Sequence, residues 1–207
     1  MGYTEENWKK RLAERSDLST SIVHLTRGTS SRKSIEQLLK ILEEKTINGS
    51  TTDSGFIVGD TPAVCFQDAP LHSITQNVWF EQKYRKENSS AKTRYIACGL
   101  SFRKSYAYKK GARPVIYEQI SVAKKIIPKD EWWRIVNFDL SDNTSIIDWT
   151  HEREWRSPKA FKFSISQATV LLSNQLMYKK FMQLCEEKDI DIYKKINGIV
   201  VMNNILF

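Results

Sequence analysis

The segment Trp149-Thr150-His151-Glu152-Arg153-Glu154-Trp155-Arg156 brings two carboxylates, two guanidinium groups, an imidazole and two indoles into eight residues. In an extended chain, alternation sets Glu152, Glu154 and Arg156 on one face and His151, Arg153 and Trp155 on the other. Paired carboxylates beside aromatic rings can orient a sugar hydroxyl and stabilise a cationic transition state. The same residues also suit a solvated edge strand whose charges pair across a sheet.

A second group with chemical potential is His24-Leu25-Thr26, at the end of the strand candidate 21–26. In a strand His24 and Thr26 share a face, so an imidazole and a hydroxyl can bond a ribose hydroxyl and an amide together. The alternative is a half-buried histidine beside a threonine with a local bond. A third group is the run Arg103-Lys104-Ser105-Tyr106-Ala107-Tyr108-Lys109-Lys110-Gly111-Ala112-Arg113. Its tyrosines between cations suit base stacking or phosphate contact, or a solvated helix face with the rings packed on the body.

Periodicity supplies the elements that must hold these groups. A polar helix over 4–16 turns Trp8, Leu12 and Ala13 inward. Gly28-Thr29-Ser30-Ser31 ends the first strand. Ser34 with Gln37 then resembles a capping box, opening a helix with the apolar stripe Ile35, Leu38, Leu39 and Leu42. A loop over 48–60 precedes a short buried strand, Ala63–Phe66. A helix is expected from Pro70 to about Phe80, then an exposed charged connection from Gln82 to Lys92. Tyr95–Phe102 reads as the central strand, with a short helix and then the strand Pro114–Tyr117 after it. Residues 119–136 read as helix interrupted at Pro128. Phe161–Phe163 and Ala168–Leu172 follow. Asn174 caps a helix to about Lys188 with Leu176, Phe181 and Leu184 on its apolar face, and Gly198–Met202 closes the chain as a strand.

Helices come early and short strands late, the pattern of an α+β domain with a mixed, mostly antiparallel sheet and flanking helices. Residues 1–20 read as a helical extension and 21–207 as a single domain. Neither GxGxxG nor GxxxxGK[ST] occurs, which speaks against a Rossmann or P-loop enzyme. The 207 residues carry a net charge of +8, which favours acidic partners such as nucleic acid or nucleotides. Three separated cysteines and three separated histidines give no zinc spacing. The cysteines read as small buried residues of a reducing compartment. The opening residues are polar and no stretch is long enough to span a membrane, so a cytoplasmic location is expected.

Several stretches resemble known families. The strand with His24-Leu25-Thr26, the turn and the following helix resemble the opening of ADP-ribosyltransferase domains, in particular the DarT-type toxins. Glu154 stands where their catalytic glutamate is expected. Val64-Cys65-Phe66-Gln67-Asp68-Ala69-Pro70-Leu71, Gly99-Leu100-Ser101-Phe102-Arg103-Lys104 and Gly111-Ala112-Arg113-Pro114-Val115-Ile116-Tyr117 resemble motifs of the AbiGi family of bacterial abortive phage resistance, over roughly 21–160.

These resemblances imply an ADP-ribosyltransferase-like fold and an NAD-dependent toxin or effector that transfers ADP-ribose to nucleic acid or protein. His24 and Thr26 would hold the nicotinamide riboside, and Arg27 or Arg32 the pyrophosphate. Tyr106, Tyr108 or Tyr117 would stack on the nicotinamide, with Tyr108 preferred for its place in the basic helix. Glu154 would stabilise the oxocarbenium-like state, and Glu152 would activate the acceptor. The E-x-E pattern departs from a histidine-led opening. AbiGi membership also implies an alternative, a non-catalytic antitoxin or binding module with a cognate protein partner or nucleic acid.

Overall fold

The computed structural model describes residues 2–29, 31–88 and 95–205. Ser30 of the expected turn and Ser89–Lys92 of the expected connection lie outside the described residues. In chain order the first elements are α1 (Glu5–Ala13), β1 (Ser21–Leu25), α2 (Ser34–Glu44), β2 (Thr46–Asn48), β3 (Ala63–Phe66) and α3 (Leu71–Glu87). Next come β4 (Gly99–Arg103), α4 (Lys104–Lys109), β5 (Arg113–Pro114), β6 (Ile116–Tyr117), α5 (Ile120–Ile126) and β7 (Ile135–Val136). The last are β8 (Trp155–Pro158), β9 (Ala160–Lys162), β10 (Thr169–Leu172), α6 (Gln175–Glu187), α7 (Ile192–Lys195) and β11 (Gly198–Val201). The architecture is mixed α/β and its strand pairs are mostly antiparallel. The chain forms two compact units, described in turn.

The first unit comprises Met1–Lys45, Ala69–Arg103 and Phe163–Phe207. Its sheet has the order β1-β4-β10-β11, antiparallel except for the parallel β10–β11 pair. Parallel neighbours need a crossover, and α6 with α7 supplies it. Glycine is required at the start of β4, because a Cβ on Gly99 would fall 2.0 Å from the His24 carbonyl oxygen. Val23, Ile74, Val78, Leu171 and Met202 share one core. The apolar stripe of α2 is buried as its spacing requires, with Ile35, Leu38, Leu39, Ile41 and Leu42 all inside. Asn174 accepts from the Met177 N–H and starts α6 as expected.

Five expectations change in this unit. α1 ends at Ala13 and buries no residue; Trp8 and Leu12 are half-buried and Ala13 is exposed. Lys33, not Ser34, precedes the first turn of α2, and its N–H donates to Glu36 Oε2 at 3.0 Å. α3 runs through the expected connection to Glu87, since Gln82–Glu87 are all competent helix formers. Tyr95–Cys98 is not strand, because the Cys98 N–H turns back onto the Ile96 carbonyl at 2.7 Å. Leu176, in the first turn of α6, is exposed, while Phe181 and Cys185 are buried.

The second unit comprises Thr46–Asp68 and Lys104–Lys162. β8 is the centre of a three-stranded antiparallel sheet, β3-β8-β5, with two two-stranded ladders, β2–β9 and β6–β7. Phe66 meets Phe161 edge to face at 5.1 Å, and Ile57, Ala63 and Trp133 form a second cluster. The expected helix over 119–136 breaks at Pro128 into α5 and a 3-10 turn, Lys129–Arg134, and its last two residues form β7. Residues 149–156 are not one strand. Thr150–Glu152 is a 3-10 turn, Arg153 closes it at φ 45°, and only from Trp155 is the chain in a ladder. The left-handed Arg153 breaks the alternation that had set Glu152 beside Glu154.

Candidate functional site

The loop from β1 to α2 carries three exposed cations, Arg27, Arg32 and Lys33. A cavity of about 810 Å³ is walled by Arg27, Gly28, Thr29, Ser31, Arg32 and Lys33, with Ser34 and Glu36 of α2, Arg85 of α3 and Ile96 completing it. Three arginines and a lysine thus face one glutamate. None of those four cations forms an ion pair with a described residue. All four side chains are exposed, so they can turn toward a ligand.

The loop geometry follows from its residues. The Thr29 N–H donates to the Arg32 carbonyl at 2.8 Å, and the Thr29 and Ser31 hydroxyls are 3.2 Å apart. Gly28 allows this close approach, since a Cβ there would sit 2.6 Å from the Arg32 carbonyl oxygen. The loop delivers the chain into the first turn of α2, whose leading N–H groups have no helical partners and whose dipole favours an anion. Polar N–H groups and guanidinium forks together match a phosphate or pyrophosphate. The cavity volume is in the range of small-molecule and cofactor clefts, about 300–1,000 Å³. Just before the loop, Thr26 is buried; its N–H donates to the Cys98 carbonyl, while its Oγ1 has no partner among the described residues. His24, half-buried, lies opposite Leu100 in the β1–β4 ladder.

The second unit holds the expected carboxylates in a different setting. Glu154 is 6% exposed and Arg156 is 2% exposed. Arg156 Nε donates to Glu154 Oε1 at 2.7 Å and Nη2 to Oε2 at 3.3 Å. Nη1 donates to the carbonyls of Trp133 and Ile135, and Nη2 to that of Phe56. A guanidinium has five N–H donors, and all five are used inside the protein. The Glu154 N–H donates to the Tyr117 hydroxyl at 2.7 Å. Burial, and then the Glu154 charge, push the neighbouring Cys65 thiol well above its ordinary value. Burial likewise raises the Tyr117 hydroxyl to about 12. Nearby, Lys104 Nζ pairs with Asp68 Oδ1 at 2.7 Å, and Trp155 Nε1 donates to the other Asp68 oxygen.

The structure therefore assigns the expected site residues to two groups. Arg27 and Arg32 share one cavity in the unit that also holds His24 and Thr26. Glu152, Glu154 and Tyr108 belong to the other unit. Glu152 ends the 3-10 turn, and its carbonyl accepts from the Asp68 N–H. Tyr108 is exposed, but the Arg113 guanidinium carbon lies 3.9 Å from its ring centroid and occupies one face. Tyr106 packs edge-on against Phe161. Sequence reasoning missed Lys33 and Arg85 as cavity residues. Lys33 was legible as the neighbour of Arg32, whereas Arg85 reaches the cavity only through the packing of α3.

Compared with known proteins, the chain matches no protein-family model, no curated protein and no solved structure. Its class is thus defined by fold and site: a mixed α/β protein with a cation-lined cavity at the start of a helix. Among the described residues no helix is long and apolar enough to cross a membrane, and no cluster of three metal-ligating side chains occurs.

Proposed function

We propose that the protein binds NAD, with the pyrophosphate held by Arg27 and Arg32 at the start of α2, as an ADP-ribosyltransferase-like effector of bacterial anti-phage defence in the cytoplasm. The observation that carries this is the convergence of Arg27, Arg32, Lys33 and Arg85 on one cavity of nucleotide size, with none of the four in an ion pair with a described residue. Neutralising a pyrophosphate needs such a set of cations, and guanidinium groups bond it in pairs. Transfer of ADP-ribose breaks the bond between the ribose C1′ and nicotinamide, and a carboxylate favours it by stabilising the positive ribose. The resemblance gives that role to Glu154, with Glu152 directed at a nucleic-acid or protein acceptor.

The Glu154–Arg156 pair favours a second reading, a binding module without catalysis. A carboxylate buried at 6% exposure with both oxygens on one guanidinium holds a fold together, and its burial keeps its remaining lone pairs from a ribose. Calorimetric titration with NAD and assay of nicotinamide release separate the two. Binding with release that is lost in Glu154→Gln supports the transferase. Binding without release supports the module, and no binding removes the NAD reading.

A further inference from the structure

The far half of α3 carries an uncommon surface. Ile74, Thr75 and Val78 are the buried residues of this helix, so its packing ends near its middle. Beyond it, Trp79 is 60%, Phe80 63% and Tyr84 46% exposed. Phe80 and Tyr84, one helical turn apart, stack at 6.2 Å with planes 16° from parallel. Lys83 lies between Phe80 and Tyr84 in the chain, Arg85 and Lys86 follow Tyr84, Glu81 and Glu87 share this stretch, and Arg85 also lines the basic cavity.

We propose that Trp79, Phe80 and Tyr84 form a stacking platform for single-stranded nucleic acid, whose phosphates run along Lys83, Arg85 and the rim of the cavity. Two observations on one helix select this occupant. Flat rings left in water can lose that cost by stacking on bases, which present a π-face whatever their sequence. Lys83, Arg85 and Lys86 beside the rings complement a phosphodiester backbone, whereas an apolar protein surface would have to desolvate them. Base faces are open only in an unpaired strand, so the platform discriminates against duplex. The inference is separate from NAD binding, although Arg85 serves both.

The test is fluorescence anisotropy with a labelled oligothymidylate, its abasic counterpart and a duplex of equal length, each over a series of salt concentrations. The wild-type protein binds the single strand more tightly than the duplex or the abasic strand. Each ring removed weakens single-strand binding by about tenfold, as stacking on aromatic side chains generally does. The W79A/F80A/Y84A variant keeps the wild-type salt slope, because no phosphate contact is lost. Arg85→Ala makes the slope shallower by about 0.7, the contribution of one phosphate on a single strand. Equal affinity for single strand and duplex, or an unchanged affinity in the triple variant, overturns the proposal. NAD titration of the triple variant keeps the readings apart: it retains NAD binding if the cavity reading holds, and loss of NAD binding alone sinks only that reading.

Discussion

Arg156 and the arginines of the cavity differ in one respect that decides their use: how many of their donors the protein already occupies. Arg156 is buried with five acceptors around it, two from Glu154 and three from main-chain carbonyls of two segments, Phe56 on one and Trp133 and Ile135 on the other. Arg27, Arg32 and Arg85 are exposed and form no ion pair with described residues. A guanidinium with every N–H satisfied internally ties segments together. One with its fork open to a cavity is available to a ligand. Both kinds read alike in a sequence.

Removing Arg156 should have the largest effect. Arg156→Ala strands the Glu154 carboxylate and three carbonyls in the interior, and loss of one partner of a buried pair costs about 3–5 kcal/mol. Chemical denaturation measures it, and a loss below about 1 kcal/mol would show that the pair is not structural. Gly28→Ala comes next. Its Cβ would press on the Arg32 carbonyl, so the loop must shift, at about 1–3 kcal/mol, with weaker NAD binding alongside.

The extent to which this contrast could be read in advance depends on periodicity. The α2 stripe, the Asn174 cap and strand Ala63–Phe66 were legible because each is a local pattern enforced by local geometry. The pairing of Glu154 with Arg156 follows from their two-residue spacing, and the sequence reading already set them on one face. Their burial was not legible, because it depends on Phe56, Trp133 and Ile135, far away along the chain. The alternation also failed at Glu152, where Arg153 adopts a left-handed conformation. In the cavity, Arg27 and Arg32 were visible as cations near a helix start, but Arg85 needed α3 to continue past Phe80.

Alkaline pH offers a smaller test of the buried side of the contrast. Burial raises the Cys98 thiol from 9.0 to about 12 and the Tyr117 hydroxyl from 10.0 to about 12. Each ionises earlier in the unfolded chain than in the folded one, so its contribution is full below the unfolded value and lost as pH rises toward 12. The melting temperature should therefore fall from about pH 9 upward, and Cys98→Ala should flatten the fall. A slope unaltered by Cys98→Ala would contradict burial as its cause. Thr26→Val should have the least effect. The hydroxyl it removes is buried without a described partner, so the methyl that replaces it relieves a desolvation cost and stability should rise by about 1 kcal/mol. An appreciable loss would reveal a bond to Oγ1 within the folded protein.

The most direct test is calorimetric titration of NAD into the wild-type protein and into Arg27→Ala/Arg32→Ala, with melting curves of both. NAD should bind the wild type, and the double variant should melt at the same temperature while binding is lost. Equal binding by both proteins would contradict the cavity as the pyrophosphate site.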